Sequence, residues 1–308
     1  MKNKSFSKIA LYIIVFVLTI IALDRLYGLV SVHLESKVTE KTPNSMLMEH
    51  TMWNVETDVV IIGSSEANHS YVCQIIQDSL GMSVYNCGRD GSGFLYQNCM
   101  IDGLLQRYSP KLIIWAIYPT FLNDPDDLDI DRLSRVNPFY DTNIKCRNAI
   151  NSKSRFESLK MLSWSYRYNS RLLTYLYKSV SPDYDFDRGY APLYKQKKGL
   201  EICNAVYEGT INEHFLSLFK ETLEICNERG VKIALVITPR FERGDYISYP
   251  PYKEIVNTAL CYPNTILIDD YYQDSHLMQA EFYADNNHLL DKGAREFTSL
   301  LSKKLKGE

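Results

Sequence analysis

The sequence predicts an α/β protein in which a parallel sheet is flanked by helices on both faces, a three-layer, flavodoxin-like arrangement. It also predicts a mainly helical insertion and an N-terminal transmembrane helix. Short apolar segments of strand length alternate with amphipathic segments of helix length, and the apolar segments are continuous, as in strands buried on both faces. With 308 residues, 45% of them hydrophobic, the chain is long enough for one large domain or two small ones.

The N-terminal half of the domain is predicted to contain three strands. The run Asp58-Val59-Val60-Ile61-Ile62-Gly63 is short and apolar and ends at a glycine, which is typical of a buried strand that leads into a turn. The segments that follow are predicted as a helix at 70–80, a strand at 82–85, a glycine-rich turn at 86–93, a helix at 94–107 and a strand at 112–117. Pro119 ends the last of these strands because proline cannot donate to a sheet ladder.

The alternation stops between about residues 120 and 210. This stretch is acidic at its start and rich in Tyr, Ser, Asn and Arg afterwards, so we predict an insertion beside the core with helical segments near 156–178. The alternation then returns with a helix at 211–228, a strand at 231–238, a helix at 252–260, a strand at 265–268 and a helix at 291–305. Asp291 is predicted to cap the last helix because Asp is favoured at helix starts.

The N-terminus has the composition of a membrane anchor. Three lysines, the last of them Lys8, precede an uncharged apolar run from Ile9 to Leu23. The run is slightly shorter than the roughly 20 residues that cross a bilayer, and flanking lysines extend its effective length. A cleavable signal peptide is the competing interpretation, but no small-x-small cleavage site follows the run, so we favour an uncleaved single-pass anchor in the cell membrane.

This anchor sets the predicted domain organisation. We predict a cytoplasmic tip and transmembrane anchor at 1–25, a stalk at 26–56 and a domain at 57–308 that carries the insertion. The domain is expected on the extracytoplasmic side, periplasmic or external, because the basic flank of an anchor stays in the cytoplasm.

Composition narrows the function classes. The formal net charge is −3 and no basic stripe is present, so we predict no nucleic-acid partner. The seven cysteines show no C-x-x-C spacing, and no phosphate-binding or metal motif is present, so we predict no metal and no cofactor. In an exported protein these cysteines either form one or two disulfides or stay as buried thiols, and the sequence leaves both open.

Three predicted turns follow strands directly. They are Gly63-Ser64-Ser65, the turn from Gly88 to Gly93, and Tyr118-Pro119-Thr120. In a parallel sheet the carboxyl ends of the strands lie on one edge, and this edge forms the binding site of open α/β sheets. The three turns are therefore expected to meet at one site.

The tetrad Asp285-Asn286-Asn287-His288 precedes the last predicted helix. An acid three residues before a histidine can hold the imidazole in one tautomer, so that the ring serves as general base for a serine nucleophile. Ser65, at the first strand end, is a candidate for that nucleophile. The alternative is that Asp285 and His288 only cap the last helix.

The order of these motifs resembles that of the SGNH/GDSL hydrolase superfamily. The resemblance covers roughly residues 57–120 and 210–305 and excludes the insertion. There Gly63-Ser64-Ser65 corresponds to the Gly-Asp-Ser block of the family, and Asp285-x-x-His288 corresponds to its C-terminal block. The resemblance implies an SGNH-like fold with Ser65 as nucleophile, His288 as general base and Asp285 as the residue that orients His288.

The resemblance also implies an oxyanion hole. It assigns the backbone N–H groups of Ser65 and Gly91, because glycine lets the backbone approach a tetrahedral oxyanion closely. The third block departs from the family, which has Gly-x-Asn-Asp where this chain has Tyr118-Pro119-Thr120-Phe121. Either Thr120 or the slightly later Asn123 is expected to replace the missing asparagine.

Several other residues are weaker candidates. Arg240 follows a predicted strand, where it binds an anionic group or forms a salt bridge. His69 and Asn68 lie near the nucleophile and are expected to support its loop. Four tyrosines of the insertion either line a substrate groove or pack on amphipathic helices, and these are Tyr166, Tyr168, Tyr175 and Tyr177.

The expected activity follows from the resemblance together with the membrane location. It is a serine esterase or O-acyltransferase that acts on an acylated, most simply acetylated, cell-surface glycan or another ester through an acyl-serine intermediate. The alternative is an inactive protein of the same fold that binds a glycan or an envelope partner. A third possibility is a structural subunit of an envelope complex.

Overall fold

The structure is a computed structural model that describes residues 2–39, 47–125, 127–169, 171–180 and 187–307. Its strands are β1 (Val59–Ile62), β2 (Val84–Asn86), β3 (Leu112–Ile117), β4 (Cys203–Asn204), β5 (Lys232–Ile237), β6 (Glu242–Arg243) and β7 (Thr265–Ile268). Its helices are α1 (Lys2–Thr39), α2 (Leu47–Trp53), α3 (Ser65–Ser70), α4 (Cys73–Leu80), α5 (Phe94–Arg107), α6 (Asp127–Arg132), α7 (Ile144–Lys153), α8 (Glu157–Lys160), α9 (Trp164–Arg167), α10 (Arg171–Val180), α11 (Glu213–Glu228), α12 (Pro250–Leu260) and α13 (Asp291–Lys306). Short 3₁₀ helices lie at Leu133–Phe139 and Ala280–Phe282.

The centre of the domain is a parallel sheet with the strand order β2-β1-β3-β5-β7. Pairing is in register along each ladder, for example Ile62 with Trp115 and Trp115 with Leu235. Every residue of β1, β2 and β3 is buried, which explains why these strands are continuous apolar runs in the sequence. The predicted α/β class with a parallel sheet flanked by helices is confirmed.

Each face of the sheet is covered by its own hydrophobic cluster. Val60 and Ile62 of β1 belong to the cluster that contains buried residues of α5, α11 and α12. Val59 and Ile61, which alternate with them, belong to the cluster formed with α4 and α13. Successive strand residues point to opposite faces, so one short strand supplies both cores and the domain has three layers.

The region between β3 and α11 holds the helices α6 to α10, as the sequence predicts for the insertion. It also contains β4, which pairs in parallel with β6 through Cys203 opposite Glu242 and Asn204 opposite Arg243. Patterning could not predict this pair, because two residues are too short to show a periodicity.

The N-terminal helix α1 is longer than the predicted anchor. Residues Ser7–Val38 form a stretch long and apolar enough to cross a bilayer, although a signal sequence passes the same test. Within the predicted stalk at 26–56, α1 continues without a break to Thr39. Beyond the undescribed residues, α2 packs on α5 with Met48 and Met52 buried, so this part of the stalk belongs to the domain.

Two local predictions are also corrected. Asp291 does not cap the last helix: Leu290 is the N-cap, and Asp291 is the first helical residue. Its carboxylate accepts hydrogen bonds from the Tyr190 hydroxyl and the Arg295 guanidinium at 2.9 Å each. In addition, the short helix α3 begins at Ser65, whereas the sequence predicts helix only from residue 70.

Candidate active site

Ser65 lies at the start of α3, directly after β1 and the turn at Gly63. A side chain at Gly63 would collide with Ala67 of α3 and with Ala116 of β3, since its Cβ would lie 2.6 Å and 2.9 Å from their Cβ atoms. The glycine therefore lets α3 pack close against the carboxyl edge of the sheet. This packing places the Ser65 side chain at that edge.

His288 lies in a tight loop that Asp285 closes. Asp285 Oδ1 accepts backbone hydrogen bonds from Asn287 at 2.8 Å and from His288 at 3.0 Å. The loop is flanked by an antiparallel bridge between Tyr283 and Leu289. Asp285 and His288 thus form a loop of their own and do not cap α13, so the alternative interpretation of the tetrad is wrong.

The structure brings Ser65, His288 and Asp285 together. His288 Nε2 lies 2.7 Å from Ser65 Oγ, and His288 Nδ1 lies 2.9 Å and 3.0 Å from the two Asp285 oxygens. An ionised Asp285 accepts a hydrogen bond from the Nδ1–H group. Nε2 is then unprotonated and can accept a hydrogen bond from the serine hydroxyl. Only 22% of the His288 side chain is exposed, compared with 41% of the Asp285 side chain, so both partners remain reachable from solvent.

The environment of Asp285 favours its ionised form. Partial burial opposes ionisation, but hydrogen bonds from His288 and from the backbone outweigh it and lower the pKa of Asp285. A carboxylate that stays ionised at neutral pH can keep orienting the imidazole.

Asn286 ties this loop to the segment that follows β5. The Phe241 N–H, beyond the end of β5, donates to the Asn286 carbonyl at 2.8 Å. The Asn286 side-chain amide donates to the carbonyls of Phe241 and Glu201. Sequence analysis assigned no role to Asn286. The only feature that could have indicated one was its position between Asp285 and His288.

The glycine-rich turn after β2 is anchored to the turn after β1. Arg89 N–H and the Ser92 hydroxyl both donate to the Gly63 carbonyl at 3.0 Å. Gly91 has a φ of 61°, in the left-handed region that favours glycine, and its carbonyl accepts from Arg132. Among the described residues, the backbone N–H groups of Ser65 and Gly91 donate to no loop, turn or neighbouring element.

Asn123 and Thr120 are the two candidates for the third oxyanion donor. The amide of Asn123 donates to the Glu208 carbonyl at 3.0 Å and to the Tyr249 hydroxyl at 2.6 Å. Both of its N–H groups are therefore engaged in holding the loop. Thr120 is half-buried, and within the described chain its hydroxyl makes no hydrogen bond to Ser65 or His288.

Arg240 forms a salt bridge, one of the two roles that the sequence left open. Its Nε pairs with the carboxylate of Glu66, which is buried directly beside Ser65. Its guanidinium also stacks over the Tyr118 ring, 5.3 Å from the centroid. Burial opposes the charged guanidinium, but Glu66 outweighs it and raises the pKa of Arg240. Sequence analysis missed Glu66, although it follows Ser65 directly.

His69 forms a second histidine–carboxylate pair next to the first. Its Nδ1 donates to the Ala191 carbonyl at 2.6 Å, and its Nε2 lies 3.2 Å from Asp90 Oδ1. The His69 and His288 rings meet edge to face with centroids 5.7 Å apart. Burial lowers the pKa of His69, but the bond to Asp90 reverses this effect and raises it. Asn68 donates to the same carboxylate at 2.9 Å.

The tyrosines of the insertion lie mainly in packing positions. Tyr168 and Tyr175 are buried in a cluster with Val38 of α1. Tyr166 donates to Glu157, and Tyr177 is exposed. All seven cysteines are free thiols, and the only exposed ones are Cys203 and Cys261.

No protein-family model and no curated protein matches this chain.

Proposed function

We propose that this protein is a serine esterase or O-acyltransferase. The observation that carries the proposal is the continuous hydrogen-bond chain from Ser65 Oγ through the His288 ring to Asp285. A nucleophile, a base and a group that orients the base at these distances are the components of acyl transfer through a serine. The SGNH/GDSL resemblance supports the same assignment, since Ser65 and the tetrad occupy the places it implies.

The first half of the reaction forms the acyl-serine. Ser65 Oγ attacks the ester carbonyl while its proton passes to His288 Nε2. The tetrahedral intermediate then collapses, the C–O bond to the alcohol breaks, and His288 returns the proton to the leaving alkoxide. Asp285 stabilises the imidazolium that exists between these two proton transfers.

The second half releases the acyl group. Water or a sugar hydroxyl gives its proton to His288 and attacks the acyl-serine carbonyl. The bond between the acyl carbon and Ser65 Oγ then breaks, and His288 returns the proton to Oγ. With water the result is hydrolysis, and with a sugar hydroxyl it is O-acyl transfer. The partly exposed His288 is accessible to either acceptor.

Oxyanion stabilisation in this proposal comes from the backbone. We assign the oxyanion to the N–H groups of Ser65 and Gly91, which among the described residues donate to no loop, turn or neighbouring element. Thr120 is retained as a candidate hydroxyl donor. Neither a metal nor an organic cofactor has a role in this mechanism.

The proposed substrate is an acylated, most simply acetylated, surface glycan. Helix α1 supports a location on the extracytoplasmic side of the cell membrane, where such esters occur, with Lys8 and the lysines before it on the cytoplasmic side. The net charge of −3 gives no support for a nucleic-acid partner.

The test is hydrolysis of p-nitrophenyl acetate by the full chain in detergent, combined with labelling by a fluorophosphonate. Ser65→Ala is expected to abolish both turnover and labelling, and His288→Gln to reduce turnover by at least about 10³-fold. Matched controls are Ser64→Ala, which removes the neighbouring hydroxyl, and His276→Gln, which removes a surface imidazole paired with Glu296. Both controls are expected to keep wild-type activity.

One observation favours a second candidate function, a non-catalytic glycan-binding protein of the same fold. It is the engagement of Asn123 by Glu208 and Tyr249, which leaves the third oxyanion position without an amide donor. Absence of fluorophosphonate labelling at Ser65 in folded wild-type protein, together with glycan binding that survives Ser65→Ala, would establish this alternative.

A further inference from the structure

Helix α1 carries a charged pair inside its apolar length. A bilayer core of about 30 Å takes roughly 20 helical residues, which from Ile9 onward extends to about Gly28. Asp24 and Arg25 therefore fall within the last turns of a membrane-spanning α1. A carboxylate at this depth is costly unless other groups satisfy it.

The domain supplies those groups. Asp24 accepts hydrogen bonds from the Ser163 hydroxyl at 2.7 Å, the Trp164 N–H at 2.9 Å and the Ser165 N–H at 2.8 Å. One turn further along, a Cβ at Gly28 would lie 1.8 Å from the Trp164 ring, so the indole packs on the bare backbone of α1. These contacts hold the start of α9 against residues 24–28 of α1. The start of α9 therefore lies at the same depth in the bilayer as these residues.

The surface beside this junction is apolar and exposed. We define the α8–α9 surface as Phe156, Leu159 and Leu162 with the half-buried Trp164. The first three side chains, in and beside α8, are 51%, 65% and 62% exposed. Leu162 directly precedes Ser163, whose hydroxyl donates to Asp24, so this surface adjoins the contact between α1 and α9.

Basic side chains surround this surface. The Arg155 guanidinium stacks over Phe156 at 4.6 Å, and that of Arg25 stacks over Trp164 at 5.4 Å. Lys160 is 45% exposed nearby. Apolar and aromatic side chains bordered by Arg and Lys are the composition of protein surfaces that enter the interface of an anionic bilayer.

We propose that the α8–α9 surface inserts into the interface of the membrane that α1 crosses. The domain is then held against the bilayer instead of standing away from it on a stalk. The occupant is the lipid headgroup and upper acyl-chain region, because the contacts of Asp24 and Gly28 place the surface at that depth. The inference rests on α1 spanning a membrane, which is itself proposed, and it is independent of the catalytic proposal.

The test uses the full chain in lipid nanodiscs with a fluorescent probe whose emission depends on polarity. The two exposed cysteines are replaced, Cys203→Ser and Cys261→Ser, and a maleimide probe is attached to Leu159→Cys. The matched control is Leu260→Cys, an 80% exposed leucine on α12. Val15→Cys, within the apolar run of α1, reports whether the helix spans the bilayer.

The expected result is that the probe at 159 emits at shorter wavelength, is quenched by nitroxide-labelled lipid and is shielded from aqueous iodide. The probe at 260 is expected to show the reverse. If the probe at 15 is quenched by lipid nitroxide and the probe at 159 behaves like that at 260, the anchor stands and the surface contact is disproved. If the probe at 15 is quenched by iodide and not by lipid nitroxide, the anchor and the inference fail together. Shielding of 159 from both quenchers indicates a protein partner and overturns the lipid assignment.

Discussion

Asp285 combines two functions in one carboxylate. It accepts hydrogen bonds from backbone N–H groups of its own loop, which fixes the loop conformation. It also accepts a hydrogen bond from the Nδ1–H group of His288. These two functions can be separated, because an asparagine side chain also accepts backbone hydrogen bonds. Asparagine, however, can turn a donor toward Nδ1, which favours the tautomer with a proton on Nε2.

Asp285→Asn is therefore expected to lower kcat by about 10⁴-fold while leaving the unfolding temperature nearly unchanged. The measurement is ester hydrolysis together with thermal unfolding. The matched control is Asp274→Asn, because Asp274 likewise accepts N–H groups two and three residues ahead, from His276 and Leu277, and has no imidazole partner. Equal activity of the two variants would show that Asp285 only closes its loop.

At the scale of elements, α3 is held in place from two directions. The Asn86 side chain at the end of β2 donates to the carbonyls of Ala67 and Tyr71. The salt bridge between Glu66 and Arg240 joins α3 to the loop after β5. The same loop binds Asn286, so one segment contacts both the helix that carries Ser65 and the loop that carries His288.

Glu66→Gln leaves the Arg240 charge largely buried without its partner. We expect the free energy of unfolding to fall by about 3–5 kcal/mol, because an uncompensated buried charge is costly. Denaturant unfolding measures the change, and the additional substitution Arg240→Met is expected to recover part of the loss. The control is Glu281→Gln, whose partner Lys292 is exposed, with an expected change below about 1 kcal/mol. Similar losses of unfolding free energy in Glu66→Gln and Glu281→Gln would contradict this account.

At the scale of the whole molecule, α1 is both a candidate anchor and part of the folded domain. Its second half packs Val38 against Tyr168 and Tyr175. Arg171 of α10 binds Glu49 of α2 and donates to the Arg135 carbonyl, and Arg135 donates to the Asp90 carbonyl. A chain of direct contacts therefore connects the elements around α1 to the turn beside the active site.

Two shortened chains test this arrangement. A chain that starts at Asp24 keeps the packed half of α1 and is expected to unfold at nearly the wild-type temperature. A chain that starts at Leu47 loses the partners of Tyr168 and Tyr175, and each fully buried side chain of this size contributes about 1.5–3 kcal/mol. We expect its stability to fall by a few kcal/mol in thermal or denaturant unfolding. If the two chains are equally stable, the second half of α1 is only a linker.

The sequence by itself determined the elements whose signal is local. The bounds predicted for α5, β3 and β7 agree with the structure, because continuous apolar runs and helical periodicity depend only on neighbouring residues. It also identified Ser65, Asp285 and His288 as candidates, since their residue types and their places after strands are visible in one dimension.

Only the tertiary structure decided which of these residues meet. Ser65 and His288 are 223 positions apart, and their 2.7 Å contact depends on the strand order and on the loop that Asn286 ties to β5. The engagement of Asn123 by Tyr249, the pairing of Glu66 with Arg240 and the docking of Asp24 on α9 are likewise contacts between distant segments. Such contacts leave no periodic pattern in the sequence, because each depends on the packing of two elements rather than on either element alone.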